Sequence, residues 1–245
     1  MSSLKLLVRL IKWDFVRELR RKEVVLNMVL FAVLVLFLIN LGVGPLFSAY
    51  RNSPIPVLRD LGDSVGAVLF WITVLFAGTV GLSQSFAAER EGGSLAGVVL
   101  APMDLGVFYL AKVFATWVYV LLMEACLLGV YVVLFDVQEL ARLGPLAVVL
   151  VVFSLGYIAS GVVLAAMTTS LRGGGEVVLR IVLFPLLMPF IYLTLRVPEG
   201  TFGADVTGGL NVSPIPFGPY VAMALAIDAI YLTAGFLLFP YVVED

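Results

Sequence analysis

Three ionisable residues interrupt otherwise apolar runs and are the first candidates for chemistry. Glu124 lies eleven residues after Val113, and Asp228 lies nine residues after Pro219, which is about 16 Å and about 13 Å along a helix. Carboxyls at that depth of a membrane could share a proton or face a polar cavity; alternatively, hydroxyls of neighbouring helices satisfy them in the protonated form. Arg180 lies near the end of its run, where its side chain can reach the surface.

The chain lacks the residues on which most catalytic chemistry depends. It has no histidine, and Cys126 is its only cysteine, which removes the commonest metal ligand, any internal disulfide and any thiolate cluster. No H-E-x-x-H or G-x-S-x-G motif occurs, and no lysine follows a glycine as a G-x-x-x-x-G-K-S/T phosphate loop requires. We therefore expect no catalytic residue, no metal and no cofactor bound by this chain alone. Any ATP that drives it is hydrolysed by another chain.

Composition and charge spacing indicate a membrane protein. Of 245 residues, 62% are apolar and 13% are charged, against roughly half and a quarter in soluble domains. Residues 24–50 and 65–88 carry no charge at all, and both stretches exceed the roughly 20 residues that cross a bilayer. The net charge of −2 gives no support to a nucleic-acid partner.

The apolar runs predict an all-α integral membrane fold, one domain over residues 1–245 with six transmembrane helices. We expect these spans at 24–42, 65–88, 113–135, 146–171, 177–195 and 219–243. Residues 4–22 predict an amphipathic helix on the membrane surface, because apolar and basic side chains fall on different faces; a solvated basic leader is the alternative. Six spans place eleven Lys and Arg on the side of the termini and four opposite, which predicts that both termini are cytoplasmic.

Small residues and prolines indicate how the spans pack. Small residues spaced by four predict close helix contact. Pro185 and Pro189 each lack a backbone donor, so they predict a kink or an unwound turn in the fifth span. The spaced pairs are Gly81 with Ser85, Gly156 with Ser160, and Gly161 with Ala165.

The segment 89–104, between the second and third spans, is the most informative connection. Ser94 can cap a short helix that Pro102 must end, and Asp104 can cap the helix that follows. A short helix held crosswise between two spans would let a soluble motor protein push on the membrane domain. An ordinary polar connector is the alternative.

Several segments of this chain resemble the haem exporter protein B (CcmB) family. That family supplies the membrane subunit of an ABC transporter in bacterial cytochrome c maturation. The D/E-G-S-L and L-x-x-P pieces occur widely in ABC-2 type permeases, whereas their combination with A-K-V-x-A-x-W and with R-G-G before P-x-x-x-P is more specific. The matching segments are the run from Trp71 through the second span, Glu89 to Leu95, Val99 to Pro102, Leu110 to Trp117, and Leu171 to Gly175 followed by Val182 to Pro189.

The resemblance implies an ABC-2 type permease subunit in the bacterial inner membrane. Its implied partners are a separate ATPase that holds the ATP, a second copy of the permease, a haem-handling membrane protein and a periplasmic haem chaperone. Residues 89–104 would form the coupling region, with a second cytoplasmic contact from Arg172 to Glu176. The residues implied in ATPase coupling are Glu89, Arg90, Glu91, Gly92, Gly93, Ser94, Leu95, Leu100, Pro102, Arg172, Gly173 and Gly174.

Two departures from the family pattern bear on haem. Ala96 stands where members often carry an acidic residue, and Thr116 stands where they often carry a histidine. Without histidine, a haem iron would take its axial nitrogen from a partner, leaving here only tyrosines or the thioethers of Met103, Met123 and Met188. We therefore favour a mechanical role over a haem pocket in this chain. The alternatives are a proton-coupled secondary transporter, an ABC-2 type permease for another substrate, a membrane-embedded enzyme and a scaffold.

Overall fold

A computed structural model describes residues 22–51, 54–55, 69–84, 104–135, 143–169, 181–182, 185 and 216–244. Most of these residues are helical, and no strand occurs among them. Five helices are defined in chain order: α1 Lys22–Arg51, α2 Leu69–Gln84, α3 Leu105–Leu134, α4 Leu143–Thr169 and α5 Phe217–Glu244.

Four of these helices are long and apolar enough to cross a membrane. Their apolar portions are Val24–Leu46, Leu105–Leu134, Gly144–Met167 and Phe217–Val243, each longer than the roughly 20 residues a bilayer requires. They coincide with the predicted first, third, fourth and sixth spans, and the chain is an integral membrane protein. The shorter helix α2 lies inside the predicted second span.

Two predicted elements fall largely outside the described residues. Of the fifth span, 177–195, only Ile181, Val182 and Pro185 are described, and all three are helical. Pro189 and Arg180 lie outside, so the kink stays a prediction. The surface helix over 4–22 is described only at Lys22.

Two helices extend beyond the predicted spans. Helix α1 continues past residue 42 to Arg51, through Pro45. Helix α3 begins at Leu105 and not at 113. Lys112, expected in the inner connection, is therefore inside α3, where its side chain is 2% exposed. The predicted cap is confirmed, since the Asp104 carboxylate accepts a hydrogen bond from the Gly106 amide at 2.8 Å.

Glycines form the contacts through which the helices approach one another. Met28 of α1 lies against Gly81 of α2, and Leu82 of α2 lies against Gly161 of α4. Both glycines belong to the predicted small-residue pairs, and a side chain at either would collide with its neighbour. Asn27 also donates to Gln84 at 3.4 Å, which places the start of α1 beside the end of α2.

Helices α2 and α4 run in the same direction. Three contacts between them follow the same order along both helices: Trp71 with Phe153, Thr79 with Tyr157, and Leu82 with Gly161. Helix α3 runs the opposite way, because its bonds from Tyr109 and Trp117 reach Ala159 and then Ser154.

Helices α4 and α5 also run in the same direction. The Tyr109 hydroxyl of α3 donates to the Ala159 carbonyl of α4 at 3.0 Å and lies against Gly235 of α5. Earlier in both helices, Asp228 of α5 lies beside the backbone of Gly156 in α4. The order of contacts along α4 is therefore the order along α5.

Helix α1 buries a narrow stripe and leaves a broad apolar face outside. It buries every fourth residue from Val24 to Leu36, while most of its leucines and phenylalanines are exposed. Such an arrangement suits a solvent of lipid tails, which are as apolar as leucine itself. The buried stripe of α1 consists of Val24, Met28, Ala32 and Leu36.

Candidate intramembrane polar site

Glu124 lies on the buried face of α3. Its side chain is 2% exposed, and its helical neighbours Val120, Met123 and Leu127 are fully buried. Among the described residues, neither oxygen of its carboxyl has a hydrogen-bond partner. A carboxyl in this setting is costly, so its surroundings decide what it can do.

The Glu124 carboxyl lies beside Ser154 of α4, and Tyr157 follows Ser154 one turn later on the same helix. The Ser154 hydroxyl donates to the Leu150 carbonyl at 2.8 Å and accepts from the Trp117 indole nitrogen at 3.0 Å. Since Trp117 and Glu124 both belong to α3, this serine is the point at which two polar side chains of α3 meet α4.

Tyr157 extends the polar contacts to α2. Its hydroxyl donates to the Leu75 carbonyl at 3.0 Å and lies 3.0 Å from the Thr79 hydroxyl. Thr79 in turn donates to the same Leu75 carbonyl at 2.7 Å. The side chains that link α2, α3 and α4 in this way form what we call the polar cluster: Thr79, Trp117, Glu124, Ser154 and Tyr157.

Asp228 occupies a second buried position, on the other side of α4. Its side chain is 1% exposed, it lies beside the Gly156 backbone, and no described residue forms a hydrogen bond with its carboxyl. Ser154 and Gly156 are two residues apart, which is about 200° around a helix. Glu124 and Asp228 therefore approach α4 from opposite sides, and the structure does not bring their carboxyls together.

Two further polar residues of the interior were not predicted to be buried. Lys112 and Thr116 are buried on α3 together with the predicted Glu124, and the three recur at multiples of four residues, the spacing that keeps side chains on one face. That spacing was readable from the sequence. Ser154 and Tyr157 carried no comparable signal, because single hydroxyls are common in membrane helices.

The remaining predicted site residues lie mostly outside the described residues. This is so for every residue implied in ATPase coupling, and for Met103 and Met188. Met123 is fully buried in the core of the bundle. In the described part of the chain, no group of three or more His, Cys, Asp or Glu could hold a metal ion.

The sequence of this helical membrane domain is similar to those of known proteins. A family model described as CcmB protein matches residues 5–226. The heme exporter protein B of Bradyrhizobium diazoefficiens is 26% identical over 210 residues, covering 84% of this chain and 83% of the relative. The heme exporter protein B of Pseudomonas aeruginosa is 27% identical over 215 residues, covering 87% and 85%. The match spans α1 to α4 and the first part of α5, and by it this chain belongs to the CcmB protein family.

Proposed function

We propose that this protein is the membrane permease subunit of an ABC transporter complex for haem export or delivery in cytochrome c biogenesis. The observation that carries the proposal is the family match over residues 5–226. Two relatives named heme exporter protein B support it, since each aligns over 84% or more of this chain.

The proposed complex contains a separate ATPase. The sequence has no phosphate loop of its own, so the energy of ATP must enter from a partner. We further propose a second copy of the permease, a haem-handling membrane protein and a periplasmic haem chaperone as partners. The site of action is the bacterial inner membrane, with both termini on the cytoplasmic side.

The start of α3 supports residues 89–104 as the coupling region. Asp104 closes that segment and caps α3 directly, through the 2.8 Å bond to the Gly106 amide. Helix α3 then packs against α1, α4 and α5. A displacement of the segment would therefore be transmitted into the helix that contacts most of the described bundle.

The direction of α4 and α5 supports the proposed six-span topology. Two neighbouring helices that run the same way need an odd number of membrane crossings between them. The predicted fifth span, 177–195, would be that crossing and would return the chain to the outer side before α5 begins at Phe217.

We propose a mechanical role for this chain in haem handling. It has no histidine to ligate haem iron, and Met123, the described thioether candidate, is enclosed by the core. Haem would be ligated by a partner, while this subunit converts ATP hydrolysis into helix movement.

The test is ATP hydrolysis by the complex purified from its native membrane. We expect an ATPase with a phosphate loop to co-purify, and Leu95→Asp or Gly93→Pro to uncouple its hydrolysis from haem delivery; Leu95→Ile is the matched control. Unchanged coupling in both variants of an intact complex would contradict the proposal.

A proton-coupled secondary transporter is the second candidate. Buried Glu124 and Asp228, without hydrogen bonds among the described residues, favour it. Transport driven by a proton gradient in vesicles without the ATPase would replace the first proposal with this one.

A further inference from the structure

Helices α2 and α3 flank the proposed coupling segment 89–104, and α3 is fastened to α4 by two hydrogen bonds. The Tyr109 hydroxyl, one turn into α3, donates to the Ala159 carbonyl at 3.0 Å. Two turns later, the Trp117 indole nitrogen donates to the Ser154 hydroxyl at 3.0 Å. A helix that is attached at two levels cannot slide or pivot without breaking one of these bonds. A displacement of the start of α3 therefore carries α4 with it.

Tyr157 makes the corresponding connection between α4 and α2. Its side chain is fully buried, and its ring lies against Gly78 of α2, where a Cβ atom would lie 2.6 Å from Cε1. The hydroxyl donates to the Leu75 carbonyl at 3.0 Å and lies 3.0 Å from the Thr79 hydroxyl. One side chain of α4 is thus held on α2 by a close ring contact and by two polar neighbours.

The acceptor of the Tyr157 hydroxyl is a main-chain carbonyl, so the bond holds the helix itself and not a movable side chain. A slide of α2 by one helical turn, about 5.4 Å, would separate the two atoms and leave a phenolic proton in an apolar interior. That loss is costly, because the interior of a membrane supplies no water to replace the bond. Apolar contacts are non-directional and impose no such condition. The Tyr157 bond therefore opposes movement of α2 past α4.

We propose that Tyr157 is a positioning residue that ties α2 to the pair formed by α3 and α4, so that both helices flanking segment 89–104 move as one unit with α4. Tyr157 and Ala159 are two residues apart, or about 3 Å along the α4 axis, so α2 and α3 are attached to α4 at one level. A displacement of the segment would then move three helices together instead of separating α2 from α3. The tie rests on the contacts above, and its role in coupling rests on the proposed function.

Pulsed EPR spectroscopy of the full chain in lipid nanodiscs tests the tie directly. In a Cys126→Ala background, a spin label at Met167 of α4 is combined with a label at Phe76 of α2 or at Leu122 of α3, three positions with exposed side chains. Tyr157→Phe keeps the ring and removes the hydroxyl. It should broaden the distribution of distances between α2 and α4 and leave that between α3 and α4 unchanged. An α2–α4 distribution that is not broadened would overturn the proposal, and so would equal broadening of both, which a general loss of stability would give.

Tyr241→Phe is the matched control for this measurement. It removes the same hydroxyl group from a ring that is 72% exposed on α5. Both distance distributions should stay as they are in the unaltered protein. If this variant broadened the α2–α4 distances as much as Tyr157→Phe does, the position of the lost hydroxyl would be immaterial and the proposal would be overturned.

The role in coupling is tested in the complex with the ATPase, by measuring the haem delivered per ATP hydrolysed. Tyr157→Phe should retain ATP hydrolysis, because the ATPase is unaltered, and should lower the haem delivered per ATP about fivefold, the equivalent of one hydrogen bond. Tyr241→Phe should change neither quantity. Equal delivery per ATP in the unaltered and the Tyr157→Phe complexes would overturn the role in coupling. If the unaltered complex delivers no haem, the proposed function fails, and the EPR distances still decide whether Tyr157 ties α2 to α4.

Discussion

Buried tyrosines lie against glycines of neighbouring helices. A Cβ atom at Gly78 would lie 2.6 Å from Cε1 of Tyr157, and one at Gly235 would collide with the Tyr109 hydroxyl. These glycines let the rings reach main-chain carbonyls, Leu75 for Tyr157 and Ala159 for Tyr109. Small residues here therefore serve polar contacts as well as close packing.

We predict opposite effects of alanine at two glycines of the helix interiors. Gly78→Ala should lower the free energy of unfolding by about 1–3 kcal/mol, because the added methyl group displaces the Tyr157 ring. Gly129→Ala has open space around its Cβ and should be neutral or stabilising by up to about 1 kcal/mol. The thermal unfolding temperatures of the two variants are to be measured in the same detergent. Equal unfolding temperatures would contradict the close contact between Gly78 and Tyr157.

Spacing in the sequence identified some of these positions and not others. Gly81 and Gly161 were predicted as contact points, since each has a small residue four positions on, and both are contacted by neighbouring helices. Gly78 has Leu82 at that spacing and gave no signal. Its role depends on Tyr157, and nothing local to α2 indicates that a tyrosine of α4 will face it.

Among the helices, α3 is the one in which the burial and the first residue differ most from the sequence-based prediction. The predicted third span begins after Lys112, whereas the helix begins at Leu105, and most residues of its first two turns are buried against other helices. The cap at Asp104 was predictable from residue type alone. The depth of Lys112 was not, because burial of its side chain depends on the other helices.

We predict that the Asp104 cap stabilises the first turn of α3. Asp104→Ala removes the acceptor of the Gly106 amide and should weaken the first turn by about 1 kcal/mol, whereas Asp104→Asn retains a capping oxygen. Hydrogen exchange of the Gly106 amide should accelerate in the alanine variant and stay near that of the unaltered protein in the asparagine variant. Equal exchange rates of the Gly106 amide in all three proteins would show that the Asp104 side chain does not stabilise the first turn of α3.

Across the whole molecule, four spans and the family could be predicted, but the arrangement of the helices could not. The length of an apolar run predicts a membrane span, because the thickness of the lipid layer fixes how many apolar residues are needed to cross it. Glu124 and Asp228 are recognisable because each is an ionisable residue within an apolar run. The neighbours of those acids come from segments far away in the chain, such as Ser154 for Glu124. Helix periodicity does not say which helices will meet.

The parallel direction of α4 and α5 predicts that residues 174 and 201 lie on opposite sides of the membrane, and the excess of Lys and Arg beside the termini predicts which side is cytoplasmic. In a Cys126→Ala background, Ser94→Cys and Gly174→Cys should react with an impermeant thiol reagent only after the inner membrane is permeabilised. Thr201→Cys should react in intact spheroplasts. Labelling of positions 174 and 201 from the same side would remove the fifth crossing, and labelling of position 94 from outside would place the coupling region away from any ATPase.

The contact between Thr79 and Tyr157 also sets an order of events during biosynthesis. The two residues are 78 positions apart, so at ordinary ribosomal speeds the tyrosine emerges about 4–16 s after the threonine. Throughout that delay α2 would lie in lipid without the Tyr157 contact. The Thr79 hydroxyl donates to the Leu75 carbonyl of its own helix, so α2 has no unsatisfied hydroxyl proton before α4 is inserted. The Thr79 hydroxyl and the Leu75 carbonyl can then both contact the Tyr157 hydroxyl.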